Sequence, residues 1–318
     1  MASRDTFSPV RGFIANTDLE WHQLLRAQAR TGRPFEEVNF WRPSTQQLKA
    51  LLPGEPLLFR LKSPVNAIGG FGFFERYASL PAWLAWDPFG RANGVASLDE
   101  LEARIREIRQ RNQIELAGEL SIGCIALVEP VLFESGDYVR LPSDWRSQTV
   151  AGKSYDLAQG EGARVWTECL ARAQVDVSNA ADRPAARYGA AHLVRARLGQ
   201  AGFRIAVLDA YGRSCAVTHE HSLPVLEAAH IRPFAEDGPH DVSNGLLLRS
   251  DVHRLFDRGY VTVTPDLRFR VSRRLRDDYA NGKTYYALDG SPVAAPKDPA
   301  ERPSAEALAW HLESRFLG

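Results

Sequence analysis

The chain has 318 residues, which at roughly 150 residues per domain predicts two domains, each large enough to bury its own core. It has 39 basic and 39 acidic residues, and 44% of its residues are hydrophobic. This balance is typical of a globular protein and excludes both a disordered chain and a protein that coats DNA through its overall charge. Any contact with nucleic acid is therefore expected to be a local patch.

The cysteines and the longest apolar run predict where the protein works. Cys124, Cys169 and Cys215 are too few and too scattered for a disulfide framework or a cysteine-based zinc cluster, and their odd number is typical of a reducing compartment. The N-terminus lacks the apolar run of a signal peptide, and the longest apolar stretch, residues 122–128, is far shorter than a membrane span. We therefore expect a cytoplasmic protein with no membrane partner.

The N-terminal half mixes predicted strands and helices. Residues 57–61 and 122–128 are apolar runs bounded by Gly and Pro, which is typical of strands. Residues 98–108 place apolar side chains at helical spacing, with Ser97 or Asp99 as the expected N-cap. The pattern predicts an α+β domain over residues 1–172.

A change of composition predicts the domain boundary. Residues 175–187 are rich in Ala, Asp, Ser and Pro and have no apolar period, as in a linker. We place the linker at residues 173–190 and a second domain at residues 191–318.

The C-terminal domain is predicted to contain short elements. Residues 191–208 have the apolar spacing of a helix, and residues 243–257 predict a second, shorter helix. Residues 260–264 and 268–271 predict a hairpin that turns at Pro265 and Asp266.

The stretch from residue 215 to residue 259 has the most informative pattern. His230 stands in the run Ala-Ala-His-Ile, Asn244 in Asn-Gly-Leu, and His253 and Asp257 in His-Arg-Leu-Phe-Asp. This His-Asn-His order, with its nine-residue step from Asn244 to His253, resembles the motif of HNH endonucleases and most closely a large bacterial branch of them. The resemblance implies a ββα-metal fold. It continues into the run Tyr285-Tyr286-Ala287-Leu288-Asp289-Gly290 and into Trp310-His311.

These residue types suit the hydrolysis of a phosphodiester, which needs an activated water and a cation beside the phosphate. His230 is the expected general base, since a neutral imidazole accepts a proton near pH 7. His253 and Asp257 are one helical turn apart, so they can share one divalent ion, for which Mg²⁺, Mn²⁺, Co²⁺ and Ni²⁺ are candidates. The resemblance implies that the Asn244 amide bonds the backbone across the loop and fixes the strand that carries the base.

One position departs from the family pattern. Many members have an Asp or His ligand directly before the base, where this chain has Ala229. Glu227 projects to the same side of a strand as Ala229, so it is a candidate replacement ligand. The remaining histidines of this stretch, His219, His221 and His240, are interpreted as polar loop residues.

Arginines beside and after the motif are candidates for contacts with DNA phosphates. The alternative for those after residue 267 is a solvated charged face, and Arg254 has Asp251 or Asp257 as alternative partners. The candidate phosphate ligands are Arg232, Arg249, Arg254, Arg270, Arg273 and Arg274.

The N-terminal half resembles the PUA superfamily, particularly the EVE and YTH-like barrels. The resemblance lies in the order of four segments: the run Phe40-Trp41-Arg42-Pro43, the strand at 57–61, the Gly-rich run at 69–77, and a strand at 123–133 that contains Glu-Pro. It implies a β-barrel with flanking helices that holds a modified or flipped base between aromatic walls, where stacking contributes roughly 1 to 3 kcal/mol per base. The candidate pocket residues are Trp21, Trp41, Trp83 and Trp86 as walls, with Asn39, Ser63 and Asn66 as readers of the base edge.

Together the two resemblances predict a modification-dependent restriction endonuclease that cuts double-stranded DNA, with a modified cytosine as the expected signal. Cutting both strands makes a homodimer plausible. Two alternatives stay open. The first is an HNH nuclease whose N-terminal domain reads an unmodified sequence, a partner or a signalling nucleotide. The second is a DNA-binding protein with an inactive HNH fold.

Overall fold

The computed structural model describes residues 11–31, 34–47, 50–114, 119–146, 148–149, 151–177, 199–233, 236 and 238–318. Its contacts divide the chain into two compact units, Met1–Ala196 and Arg197–Gly318. Both units mix helices and strands, as expected for an α+β protein. Within the described ranges, no helix has both the length and the apolar character needed to span a membrane.

Seven strands of the described N-terminal residues form one sheet, in the order β2-β5-β4-β3-β1-β7, with β6 paired to β4. β1 and β3 run parallel, while the other pairs are antiparallel. The strands are β1 (Arg11–Thr17), β2 (Glu37–Asn39), β3 (Pro56–Leu61), β4 (Ala67–Pro81), β5 (Ser121–Leu132), β6 (Val139–Arg140) and β7 (Gly152–Asp156).

This sheet differs from the expected closed barrel. Among the described strands, β2 and β7 stand at opposite ends of the pairing path and do not pair with each other. β4 is 15 residues long and bends at register shifts, and it pairs with β3, β5 and β6. The end strands have only three and five residues, which gives them few backbone groups with which to close the sheet.

Four helices belong to the described part of this unit: α1 (Leu19–Arg30), α2 (Ala82–Phe89), α3 (Leu98–Arg111) and α4 (Gly160–Val177). Ser97 is the N-cap of α3, as predicted, and its side chain accepts a hydrogen bond from the Glu100 amide. Along α4, Val165, Cys169 and Ala173 recur every four residues and are buried in one apolar cluster with the sheet. Helix α4 continues to Val177, so the first residues of the predicted linker at 173–190 are helical. Residues 178–198 lie outside the described ranges.

The C-terminal unit is built from short elements. A helix α5 covers Gln200–Ala210, so the predicted helix at 191–208 is described only from residue 200 onward. The remaining elements are β8 (Leu226–His230), β9 (Gly245–Arg249), α6 (Ser250–Asp257), β10 (Val261–Val263), β11 (Phe269–Val271), α7 (Arg274–Tyr279), α8 (Lys283–Tyr286) and α9 (Ala305–Ser314).

The helix predicted at 243–257 is wrong in its first half. Residues 245–249 form strand β9, which pairs antiparallel with β8, and α6 begins only at Ser250. Leu246, Leu247 and Leu248 are all buried, and a short apolar run buried on both faces is a pattern that helix and strand share. The predicted hairpin is confirmed by the pairing of β10 with β11. β8, β9 and α6 thus form a ββα unit.

Candidate metal centre and nuclease site

His230 is the last residue of β8 and lies opposite Gly245 of β9. Its ring stacks on Phe203 of α5, with ring centroids 3.8 Å apart and planes 13° from parallel. A Cβ at Gly245 would lie 2.5 Å from Val207 Cγ2, so the glycine lets α5 approach the hairpin this closely. Burial, with the nearby His240 and His253, lowers the pKa of His230 to about 4. The imidazole is therefore neutral at pH 7 and can accept a proton.

His253 of α6 lies between two carboxylates. Its Nδ1 is 2.7 Å from Glu227 Oε2, and its Nε2 is 3.4 Å from Asp257 Oδ2. Burial alone would lower the pKa of His253, but the contacts with Asp257 and Glu227 outweigh it and raise the pKa. His253 and Asp257 also act electrostatically on the pKa of His230, His253 lowering it and Asp257 raising it, so the imidazole of β8 lies within electrostatic range of the pair on α6.

The donor set fits a divalent ion held by two protein ligands. Neighbouring ligands of one octahedral ion are about 3 Å apart when its bonds are near 2.1 Å, close to the 3.4 Å between His253 Nε2 and Asp257 Oδ2. In the described ranges, no group of three or more His, Cys, Asp and Glu side chains is arranged to hold a metal. A two-ligand ion leaves its other positions to water and phosphate oxygens.

Glu227 occupies the other edge of the His253 ring. Glu227 Oε2 lies 2.7 Å from Nδ1, the ring nitrogen on the side away from the Asp257 contact at Nε2. From this position Glu227 can orient the His253 ring. Ala229, where the family pattern has a ligand, is fully buried. The alternation of side chains along a strand predicts which side of the sheet Glu227 faces. It does not predict which nitrogen of His253, on a different element, Glu227 contacts.

Asn244 joins three segments of the loop between β8 and β9. Its Nδ2 donates to Arg232 O and Pro239 O, both at 2.9 Å, and its Oδ1 accepts from the Arg232 amide at 3.0 Å. The Asn244 carbonyl also accepts from the Ile231 amide. The side chain is 1% exposed. The bonds fix the backbone directly after His230, which is the position that the sequence resemblance implies for this amide.

Two histidines outside the motif also belong to the site. His240 Nδ1 lies 3.2 Å from His230 Nε2, although the sequence indicated only a polar loop residue. His311 of α9 stacks on Phe256 with centroids 3.7 Å apart, and its Nε2 is 3.1 Å from Phe256 O beside Asp257. No helical or strand pattern in the sequence links His240 or His311 to the residues of the motif. Their roles depend on contacts between distant segments.

Some of the candidate phosphate-binding arginines already have protein partners, and others are exposed to solvent. Arg249 is held by Asp251 through two bonds of 2.6 and 2.8 Å, so Asp251 is paired with Arg249, not with the alternative partner Arg254. Arg232 donates to Glu236 O and lies over the Trp310 ring. Arg270 and Arg274 face Asp289 and Asp278 at 3.4 Å, and Arg254 and Arg273 are exposed. The exposed side chains of α6 and the start of α7 are the most accessible to phosphate.

In the N-terminal unit, the side chains of Asn39 and Trp41 both hydrogen-bond to Asn93. Asn39 Nδ2 donates to Asn93 Oδ1 at 2.9 Å, and Trp41 Nε1 donates to the carbonyl of Asn93 at the same distance. Asn39 is fully buried, and within the described chain its Oδ1 has no hydrogen-bond partner. An acceptor of this kind is costly to bury unless something supplies a donor.

Of the other pocket candidates, Trp21 is joined to this pair, because its Nε1 donates to the Asn39 carbonyl at 3.2 Å. Trp21 is 5% exposed, with its ring edge-on to Phe40 and Phe59 and covered by Gly94, so it is a core residue and not an open wall. Ser63 and Asn66 are exposed in the loop between β3 and β4, where Asn66 accepts from Arg60. Trp83 and Trp86 lie on α2, and Trp83 donates to Glu119.

Comparison with known proteins supports the C-terminal assignment. Residues 215–264 match a family model described as HNH endonuclease. No curated protein sequence matches the chain. The chain is structurally similar to the ASCH protein of Zymomonas mobilis, with 12% identity, a TM-score of 0.31 and coverage of 48% of this chain and 93% of that one. It is also similar to a protein titled modification dependent TagI restriction endonuclease, with 14% identity, a TM-score of 0.30 and coverage of 90% and 78%.

Proposed function

We propose that the protein is a divalent-metal-dependent DNA endonuclease whose C-terminal unit hydrolyses phosphodiester bonds. The observation that carries this proposal is the ββα arrangement that places His230 at the end of β8 and the paired His253 and Asp257 on α6, within electrostatic range of each other. The match of residues 215–264 to the HNH endonuclease family supports the same activity.

His230 and its neighbours supply the proton chemistry and the orientation. His230 accepts the proton of a water aimed at the phosphorus, while Phe203 holds the plane of the ring and Asn244 holds the backbone behind it. His253 and Asp257 would hold the ion, and Glu227 fixes the ring of His253 from its Nδ1 edge. When bound, a divalent ion stabilises charge on the phosphate and on the departing oxygen.

We further propose that the N-terminal unit recognises a modified base, with modified cytosine as the first candidate. The unpartnered, buried Oδ1 of Asn39 supports cytosine as the base, because it suits an exocyclic amino group such as N4. The indole of Trp41 is bonded to the same residue, Asn93, as the Asn39 amide. Such recognition would direct cutting to foreign or phage DNA. A double-strand break needs two cuts, which a homodimer on DNA would supply, so a homodimer is part of the proposal.

A digestion panel tests the proposal. Matched duplexes with unmodified, 5-methylated and 5-hydroxymethylated cytosine are incubated with Mg²⁺, Mn²⁺, Co²⁺ or Ni²⁺ and with chelator. We expect metal-dependent cutting that favours one modified duplex. Equal cutting of all duplexes would remove the modification claim, and binding without cutting under every metal would favour an inactive HNH module.

A further inference from the structure

The general base candidate has a second imidazole as its direct neighbour. His230 Nε2 and His240 Nδ1 are 3.2 Å apart, and the two rings meet nearly edge to face, with centroids 5.1 Å apart and planes at 79°. The residues are ten positions apart, and they lie at the end of β8 and in the loop before β9. One nitrogen of His230 is therefore already engaged, and Nδ1 is the nitrogen left to act on water.

The direction of this hydrogen bond decides which nitrogen of His230 has a lone pair. A neutral imidazole has one N–H donor and one acceptor nitrogen. If His230 Nε2–H donates to His240 Nδ1, the lone pair of His230 is on Nδ1, where it can take a proton from water. If the bond runs the other way, Nδ1 of His230 carries the hydrogen and cannot act as a base.

The loop that carries His240 is held in place by the same residues that hold the base. Asn244 Nδ2 donates to Pro239 O, directly before His240. Gly238 packs so closely that a Cβ there would lie 1.9 Å from Arg232 O, and its amide donates to Pro233 O. Phe203, which stacks on His230, also meets the His240 ring edge-on at 6.1 Å. The position of His240 is thus fixed from both sides.

We propose that His240 is a positioning residue: its Nδ1 accepts a hydrogen bond from His230 Nε2–H and so keeps the lone pair of His230 on Nδ1. This inference rests on the proposed nuclease function but adds a residue that the HNH spacing does not contain. His240 does not contact water or phosphate in this role. It acts through the orientation and the tautomer of His230.

Three variants separate this role from simple packing. His240→Leu removes the acceptor. His240→Asn keeps a side-chain oxygen near the position of Nδ1. His221→Leu is the matched control, since His221 is an exposed loop histidine whose Nδ1 contacts Arg213 O. DNA affinity and single-turnover cleavage are measured for each, and long-range ¹H–¹⁵N NMR of histidine-labelled protein reports which nitrogen of His230 is protonated.

We expect His240→Leu to lower the single-turnover rate about 10- to 100-fold with DNA affinity unchanged, the range found for residues that orient a functional imidazole. His240→Asn should recover most of the rate, and His221→Leu should match the parent protein. In the NMR spectra, His230 should be protonated on Nε2 in the parent and in His240→Asn, and should become a tautomer mixture in His240→Leu.

Two results would overturn the inference. One is a His240→Leu protein that cleaves at the parent rate. The other is a His230 that carries its hydrogen on Nδ1 in the parent protein. The NMR experiment needs no activity, so a protein that cuts no DNA would refute the nuclease proposal while the tautomer of His230 still decides the role of His240.

Discussion

The two units place their polar chemistry in different ways. In the C-terminal unit, Glu227 and His253 are 26 positions apart, and the hairpin of β8 and β9 and the helix α6 bring them together. In the N-terminal unit, Asn39 and Asn93 are 54 positions apart, and they meet only because β2 lies beside the turn after α2. When a site lies within one ββα unit, the spacing of its residues along the sequence can identify it. When a site lies across a sheet, its residues can be identified only once the whole strand order is known.

The difference also separates catalysis from selection. In the proposed mechanism, the C-terminal site supplies a proton acceptor and two side chains that would hold a metal, which are the groups that hydrolysis of a phosphodiester uses. The N-terminal network contains amide and indole groups that have no acid or base role near pH 7. Changes in the first site should therefore alter the rate on every substrate, and changes in the second should alter only which substrate is chosen.

The largest effect should come from His230. His230→Ala removes the proton acceptor, so the single-turnover cleavage rate should fall by roughly 10²- to 10⁴-fold on all duplexes. DNA affinity should stay within about threefold, because the ring packs on Phe203 and is not a phosphate ligand. Gel-shift and cleavage assays with His221→Ala as control check this. A variant that still cuts at the parent rate would place catalysis elsewhere.

Asn244 should affect the stability of the C-terminal unit. Asn244→Ala removes three hydrogen bonds and leaves the carbonyls of Arg232 and Pro239 without this donor. We expect a loss of about 2 to 4 kcal/mol in the unfolding free energy of this unit, measured by denaturant titration. Ser243→Ala, one residue earlier, is the control. An unchanged midpoint would show that the loop does not depend on the amide.

Glu227 should affect metal affinity more than chemistry. Glu227→Gln keeps an acceptor for His253 Nδ1 but removes the charge, and we expect Mn²⁺ affinity to fall about 10-fold or more, as for other carboxylates that orient a histidine ligand. Calorimetry measures the affinity, and cleavage at saturating Mn²⁺ should be largely restored. If saturating metal restores nothing, Glu227 takes part in the reaction directly.

Asn39 should change selection alone. Asn39→Leu removes the unpartnered acceptor proposed to receive N4 of the recognised cytosine, so the cleavage rate on the modified duplex should fall by about 10-fold, equivalent to one lost hydrogen bond to a base. The rate on the unmodified duplex should not change. Ser63→Ala in the exposed loop is the control. A uniform loss of rate on both duplexes would contradict the separation of the two units.

The pH dependence should be the smallest effect near neutrality. Burial lowers the pKa of His230 to about 4, so the base loses its capacity to accept a proton only as the pH falls through about 4. The raised pKa of His253 makes metal binding compete with protonation nearer neutral pH, so the rates are measured at saturating Mn²⁺. Single-turnover rates should be flat on the acid side between pH 7 and 5, with circular dichroism as a check on folding. A midpoint near the ordinary histidine value of about 6.5 would show that the ring is solvated.

The motif residues were predictable because local geometry constrains them. His253 and Asp257 share a helix face because they are four residues apart on one helix, and α6 does cover both. Sequence reasoning failed where competing structures share a pattern: the leucines of β9 suit a helix or a strand. It also failed for contacts between distant elements, including the Glu227 contact with the far edge of His253, the approach of His240, and the burial of Trp21 by Phe40, Phe59 and Gly94.

A crystal structure of the protein with a DNA duplex and Mn²⁺, in which anomalous scattering locates the ion, tests the proposed mechanism most directly. We expect one ion bound by His253 Nε2 and Asp257, with a phosphate oxygen among its other ligands and His230 Nδ1 facing the scissile phosphorus without binding the ion. An ion bound by Glu227 in place of Asp257, or a DNA backbone that passes far from His230, would contradict it.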